Sequence, residues 1–205
     1  MSAIATYRTA VLALLDDVSK TRYTDAQVDQ GIRLALMEYT RAKPVIASYI
    51  VSCDGTEDLE MPADFSAAFI TNVELWNATP DLIEAIPFYA YKRDFQWIIH
   101  TVGIAYSASY VLVVTYSSSH YIDGLDSGAG TSIPDEDEQV LEIGAAGFAA
   151  LSRSSSRAET INMQPAVSAQ VAKVADNYLA QFRAAIGSRS GAWFADPPMM
   201  QDIEY

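Results

Sequence analysis

One cysteine, Cys53, stands in this chain of 205 residues. No intrachain disulfide can form and no cysteine-rich zinc site can be built; the expected role is that of a half-buried strand thiol. Histidine is nearly as scarce, with His100 and His120 alone, and no HExxH, CxxC, GxSxG or P-loop pattern occurs. Basic residues are few: 13 Lys plus Arg face 26 Asp plus Glu, a formal net charge of −13. That balance disfavours tight wrapping of nucleic acid, which needs clustered cations against phosphate. It is compatible with a surface past which DNA slides, because like charges repel. No apolar run approaches the ~20 residues of a membrane span, and no basic-then-apolar signal pattern opens the chain. A cytosolic origin and no membrane partner are the expectation.

What is present is enough for a real core. Half of the residues are hydrophobic and 19% are charged, an ordinary globular balance at a length that allows one domain or two small ones. The most informative stretch runs from Ser132-Ile133-Pro134-Asp135-Glu136-Asp137-Glu138 into Gly144-Ala145-Ala146-Gly147-Phe148-Ala149-Ala150-Leu151. Pro134 suits a first helical turn, and four carboxylates sit beside the positive end of the helix dipole. Gly144 and Gly147 each cost roughly 1 kcal/mol relative to alanine inside a helix. Such a helix is expected where another backbone approaches closely, so Gly144, Gly147 and Ala150 are candidate subunit-packing positions.

The rest of the chain sorts into helical and β textures. Ile4, Tyr7, Val11, Leu14, Leu15 and Val18 recur at helical spacing over residues 3–18. Thr24 and Gln27 form a capping-box pair ahead of a second helix with Val28, Ile32, Ala35, Leu36 and Tyr39 on one face, ended by Pro44. Residues 45–122 read as a β-rich insertion. Its strands are expected at Val45–Val51, Leu59–Met61, Ala68–Trp76, Phe95–Val102 and Tyr110–Tyr116, with Tyr89–Phe95 open between strand and short helix. A third helix is expected from Pro134 to about Ser155. A fourth follows Pro165 and carries Val167, Val171, Val174, Tyr178, Leu179, Phe182 and Ile186, with Gly187 as its C-terminal cap. The fold class is therefore α+β, a four-helix core with a β-rich insertion and an extended C-terminal tail. The domains are a helix pair over 1–44, the insertion over 45–122, a second helix pair over 123–187 packing on 1–44, and a docking tail over 188–205.

That tail combines Trp193, Phe194, Met199, Met200, Ile203 and Tyr205 with Pro197-Pro198. Disordered tails avoid large apolar groups, so this one is expected to dock, with Trp193, Phe194, Pro197, Pro198, Met199, Ile203 and Tyr205 as its contacts; the alternative is a tail folded back on its own domain. Catalytic, cofactor-binding and metal-binding residues are not expected. The loop Asp123-Gly124-Leu125-Asp126-Ser127-Gly128 has carboxylates, but their spacing does not match an EF-hand, and an ordinary turn is the default. Arg153, Arg157 and nearby serines are expected to form a solvated polar face. A rival function is a module that binds a small molecule or glycan against Trp76, Trp97 and neighbouring tyrosines. A hydrolase using paired acids is a third.

Three segments carry a resemblance: Arg22-Tyr23-Thr24-Asp25-Ala26-Gln27-Val28-Asp29 running to Ala35-Leu36-Met37-Glu38-Tyr39, then Thr131 through Leu151, then Tyr178-Leu179-Ala180-Gln181-Phe182-Arg183. Together with the order of elements, they make the chain resemble the head-to-tail adaptor (connector, neck) proteins of tailed bacteriophages. The resemblance implies a non-enzymatic structural virion protein, assembled in the host cytoplasm, without cofactor or metal. It implies a homo-oligomeric ring, usually a dodecamer, whose partners are the portal protein above and a tail or second neck protein below. DNA would pass through the channel without specific binding, and the C-terminal tail would grip the portal.

Overall fold

The computed structural model describes residues 2–62, 65, 67, 69–77, 82–103, 105–126, 128–158 and 165–189. The chain forms two compact units. One combines residues 2–43 with the described residues of 120–189; the other is Pro44–Ser119.

The described residues of the first unit form four helices, α1 (Ile4–Leu14), α2 (Asp25–Ala42), α3 (Asp135–Ala158) and α4 (Pro165–Arg189). α1 buries Ile4, Tyr7, Val11 and Leu12, but it stops four residues short of the expected end, and Val18 is 72% exposed. The reason lies in Asp17, which is buried and organises the connection. Its Oδ1 accepts from the Thr21 amide at 3.0 Å and hydroxyl at 2.8 Å. Its Oδ2 accepts from the amides of Arg22 at 2.8 Å and Tyr23 at 2.7 Å. One carboxylate thereby satisfies donors that would otherwise be orphaned in a tight loop.

α2 begins at the capping box read from the sequence. The Thr24 hydroxyl accepts from the Gln27 amide at 3.3 Å, and the Gln27 side chain accepts from the Thr24 amide at 3.0 Å. Its buried face is Val28, Gly31, Ile32, Ala35 and Tyr39. This face meets Tyr7, Val11, Leu141, Ala145, Ala149 and Phe182 in one continuous core. α4 continues through Gly187, which the sequence reading made a cap, and ends at Arg189. Gly187 is not among the residues with positive φ, so the left-handed turn a glycine cap requires is not made there.

The second unit is two antiparallel sheets. Sheet A has strand order β1-β7-β3-β4, and sheet B has β2-β6-β5. The strands are β1 (Val45–Ser52), β2 (Asp58–Glu60), β3 (Phe69–Asn77), β4 (Leu82–Ala85), β5 (Phe88–Arg93), β6 (Gln96–Thr101) and β7 (Tyr110–Ser118). Of the ambiguous Tyr89–Phe95 stretch, β5 takes Tyr89–Arg93 as strand while Asp94 and Phe95 form a turn, and β4 was not anticipated. Leu112 and Val114 of β7 and Val73 and Leu75 of β3 alternate inward and meet Leu59 and Ile99 of sheet B. The two sheets share one core, as facing antiparallel layers do.

Candidate assembly surfaces

Gly144 and Gly147 have a definite use. A Cβ at Gly144 would lie 2.8 Å from the Phe182 ring, and one at Gly147 would lie 2.9 Å from Leu179 Cγ. Phe182 is fully buried and Ala150 is 1% exposed in the same core. At Gly144 and Gly147 the space is filled by α4 of the same chain. A second notch escaped the sequence reading: a Cβ at Gly31 would lie 2.6 Å from the Ala145 carbonyl oxygen and 3.1 Å from the Ala149 side chain. Gly31 lies on the apolar face of α2, and its position between Val28 and Ile32 was the available signal.

The four acids that open α3 divide in two. Asp135 and Glu136 are exposed. Asp137 is 3% exposed, and its Oδ2 accepts from the Tyr39 hydroxyl at 2.6 Å and from Lys43 Nζ at 2.7 Å. Glu138 accepts from the amide and the hydroxyl of Ser2, at 3.0 and 2.9 Å. Dipole compensation therefore explains only part of this cluster. Burial, reinforced by the Glu138 charge, pushes the Tyr7 phenol well above its usual range. Burial and the same carboxylate also raise Glu142.

The two histidines serve separate units. His120 Nε2 lies 2.8 Å from the Lys43 carbonyl oxygen, which can only accept, so Nε2 carries the proton; Nδ1 then accepts from the Ser132 hydroxyl at 3.0 Å. The ring packs edge-on to Tyr39, with centroids 5.0 Å apart. Burial holds its pKa below the usual imidazole range. His100 Nδ1 lies 2.7 Å from Asp58 Oδ1 on sheet B. Among the described residues, no group of three or more His, Cys, Asp or Glu side chains is placed to hold a metal ion.

The remaining candidates also find ordinary partners. Asp126 makes a two-toothed pair with Arg33, at 2.7 Å to each carboxylate oxygen. Arg153 is buried, with its guanidinium 4.7 Å from the Tyr23 ring. It is not the solvated cation the sequence suggested; guanidinium stacks readily on an aromatic face. Trp97 donates to the Ala67 carbonyl at 3.2 Å and lies under Lys92 Nζ at 4.8 Å. Trp76 donates to Glu74 at 2.9 Å. The docking contacts Trp193, Phe194, Pro197, Pro198, Met199, Ile203 and Tyr205 lie outside the described residues. No helix among the described residues is long and apolar enough to cross a membrane.

Neither a protein-family model nor a curated protein matches the chain. Among solved structures, it is similar to a chain in the neck of an empty gene transfer agent (GTA) particle computed with C6 symmetry. That match has 14% identity, covers 71% of this chain and 76% of that one, and has a TM-score of 0.31. It is also similar to a chain in the virion of a native GTA particle, with 13% identity, 86% and 88% coverage and a TM-score of 0.33. At these scores the likeness carries no functional argument.

Proposed function

We propose that this chain is a structural virion protein of a phage-like neck, a head-to-tail adaptor that forms a ring between portal and tail. One observation carries the reading. The three segments that resemble adaptors lead into α2 and α3 or lie in α4, and the helix residues Ile32, Tyr39, Leu141, Ala145 and Phe182 meet in a single core. A bundle made from both chain ends, interrupted once by a β unit, is the layout the resemblance implies.

In this reading the ring is twelvefold and the DNA channel passes through it, with the −13 net charge keeping DNA from adhering to the wall. The chain acts by packing and needs no catalytic centre. Its aromatic tail supplies the residue types that dominate interface energy. Because α4 runs to Arg189, a deletion of residues 190–205 leaves that helix whole.

Mass photometry of the full chain mixed with purified portal oligomer tests this. The expected result is a portal-bound complex for the full chain and none for the deletion. No binding by the full chain would overturn the adaptor reading, and equal binding by both would overturn the anchoring role of the tail.

A further inference from the structure

Among the described residues, β1 has β7 on one side and no strand on the other. The Cys53 amide donates to the Tyr110 carbonyl at 3.1 Å, in the same frame that pairs Ser52 with Val111 and Val45 with Ser118. Hydrogen-bonded and non-bonded pairs alternate along an antiparallel ladder. Val45, Ala47, Tyr49 and Val51 therefore turn their backbone groups toward β7. The N–H and C=O groups of Ile46, Ser48, Ile50 and Ser52 point to the open side.

Long edges of this kind are normally blunted by lysine, proline, a bulge or shortness, because unpaired backbone groups recruit other strands. The two edges of sheet A differ in this respect. β4 is four residues long, its pairing with β3 is irregular between Leu75 and Trp76, and it carries Glu84. β1 is eight residues long with the sequence VIASYIVS, without charge or proline, and its register is unbroken. Its outward side chains include Ile46 and Ile50, 54% and 66% exposed. The open edge is also self-complementary. Two copies related by a twofold axis at Tyr49 would pair Ile46 with Ser52 and Ser48 with Ile50. All four outward residues of each copy would then be hydrogen-bonded, with no like charges opposed.

We propose that β1 is a self-association edge: two copies of this chain pair antiparallel through Val45–Ser52, joining their four-stranded sheets into one. The occupant is a second copy because pairing with β4 would engage at most half as long a strand across an irregular, acid-bearing edge. The pairing does not rest on the adaptor reading. A purely cyclic ring contains no twofold contact, so this pair is a state of the chain outside the ring.

The test is sedimentation velocity of the full chain, without portal, over a concentration series, with hydrogen exchange on the same samples. Ser48→Pro removes an edge-facing N–H and no bond to β7, the one setting in which a strand tolerates proline. The wild type is expected to dimerise, with slowed exchange at the amides of 46, 48, 50 and 52. Ser48→Pro is expected to weaken dimerisation at least about tenfold while keeping the wild-type circular dichroism spectrum. Ile50→Lys carries the same test should the proline variant not fold. A wild type that stays monomeric, one that forms rings without a dimer, or edge variants that dimerise like wild type would overturn the pairing. Portal binding is read separately, so either proposal can fail while the other stands.

Discussion

Gly31 of α2 lies against Ala145 of α3 so closely that a Cβ on the glycine would come within 2.6 Å of the alanine carbonyl oxygen. The obstacle is backbone, which cannot rotate away as a side chain can. Gly31→Ala should therefore push the two helices apart. Overpacking of this kind costs about 1–3 kcal/mol, against a gain of about 1 kcal/mol in helix propensity. Urea denaturation should show a net loss; a more stable variant would show that the helices adjust freely.

Asp137 is the buried acceptor that ties α3 to the end of α2 through Tyr39 and Lys43. Removing one member of a buried pair leaves the other uncompensated. Asp137→Ala should cost about 3 kcal/mol. Tyr39→Phe should cost about 1.5 kcal/mol, the worth of a hydrogen bond to a charged group. A double variant should lose less than the sum of the two, because both disrupt one network.

Asp17 gives the fold an acid dependence of known sign. Burial alone would raise its pKa, but the bonds from Thr21, Arg22 and Tyr23 outweigh that and hold it at about 2. The stabilisation is present above the unfolded carboxyl value of ~3.9 and is lost as pH falls through about 2. Asp17→Asn would turn an amide nitrogen toward N–H donors. Its melting temperature should fall well below wild type at neutral pH, and the gap should narrow as pH drops toward 2. A constant gap would refute the charge-based account.

Phe95 closes the β5–β6 hairpin in an unfavourable conformation. Arg93 pairs with Gln96, leaving Asp94 and Phe95 as a two-residue turn with φ of 51° and 68°. Such turns favour glycine, and a left-handed phenylalanine is strained by roughly 1–2 kcal/mol. The ring is also fully exposed, so no burial offsets the strain. Phe95→Gly should stabilise the chain by about 0.5 kcal/mol, after the added flexibility of the unfolded chain is subtracted. A lower melting temperature for this variant would contradict the strain argument.

Features set by neighbours in sequence were legible in advance. The Thr24–Gln27 box, the Pro134 start of α3 and the run of β-formers at Tyr110–Tyr116 each follow from preferences within a few residues. Features that depend on a distant partner were not. Val18 has helical spacing with Leu14 and Leu15, yet Asp17 diverts the chain before that residue is reached. β4 is short and flanks a bulge, so its four residues show no clear period.

From sequence alone came the four helices found among the described residues, the β nature of the middle, the scarcity of cysteine and histidine and the excess of negative charge. These rest on composition, periodicity and capping, which act over one or two turns. Tertiary structure decided what fills each notch: Phe182 and Leu179 over the glycines of α3, Ala145 against Gly31, Asp137 between Tyr39 and Lys43. It also decided that, among the described residues, β1 lies at an edge of sheet A with the backbone groups of Ile46, Ser48, Ile50 and Ser52 turned away from β7. Strand order and close approach depend on contacts between residues far apart in sequence, and no local pattern encodes which two surfaces will meet.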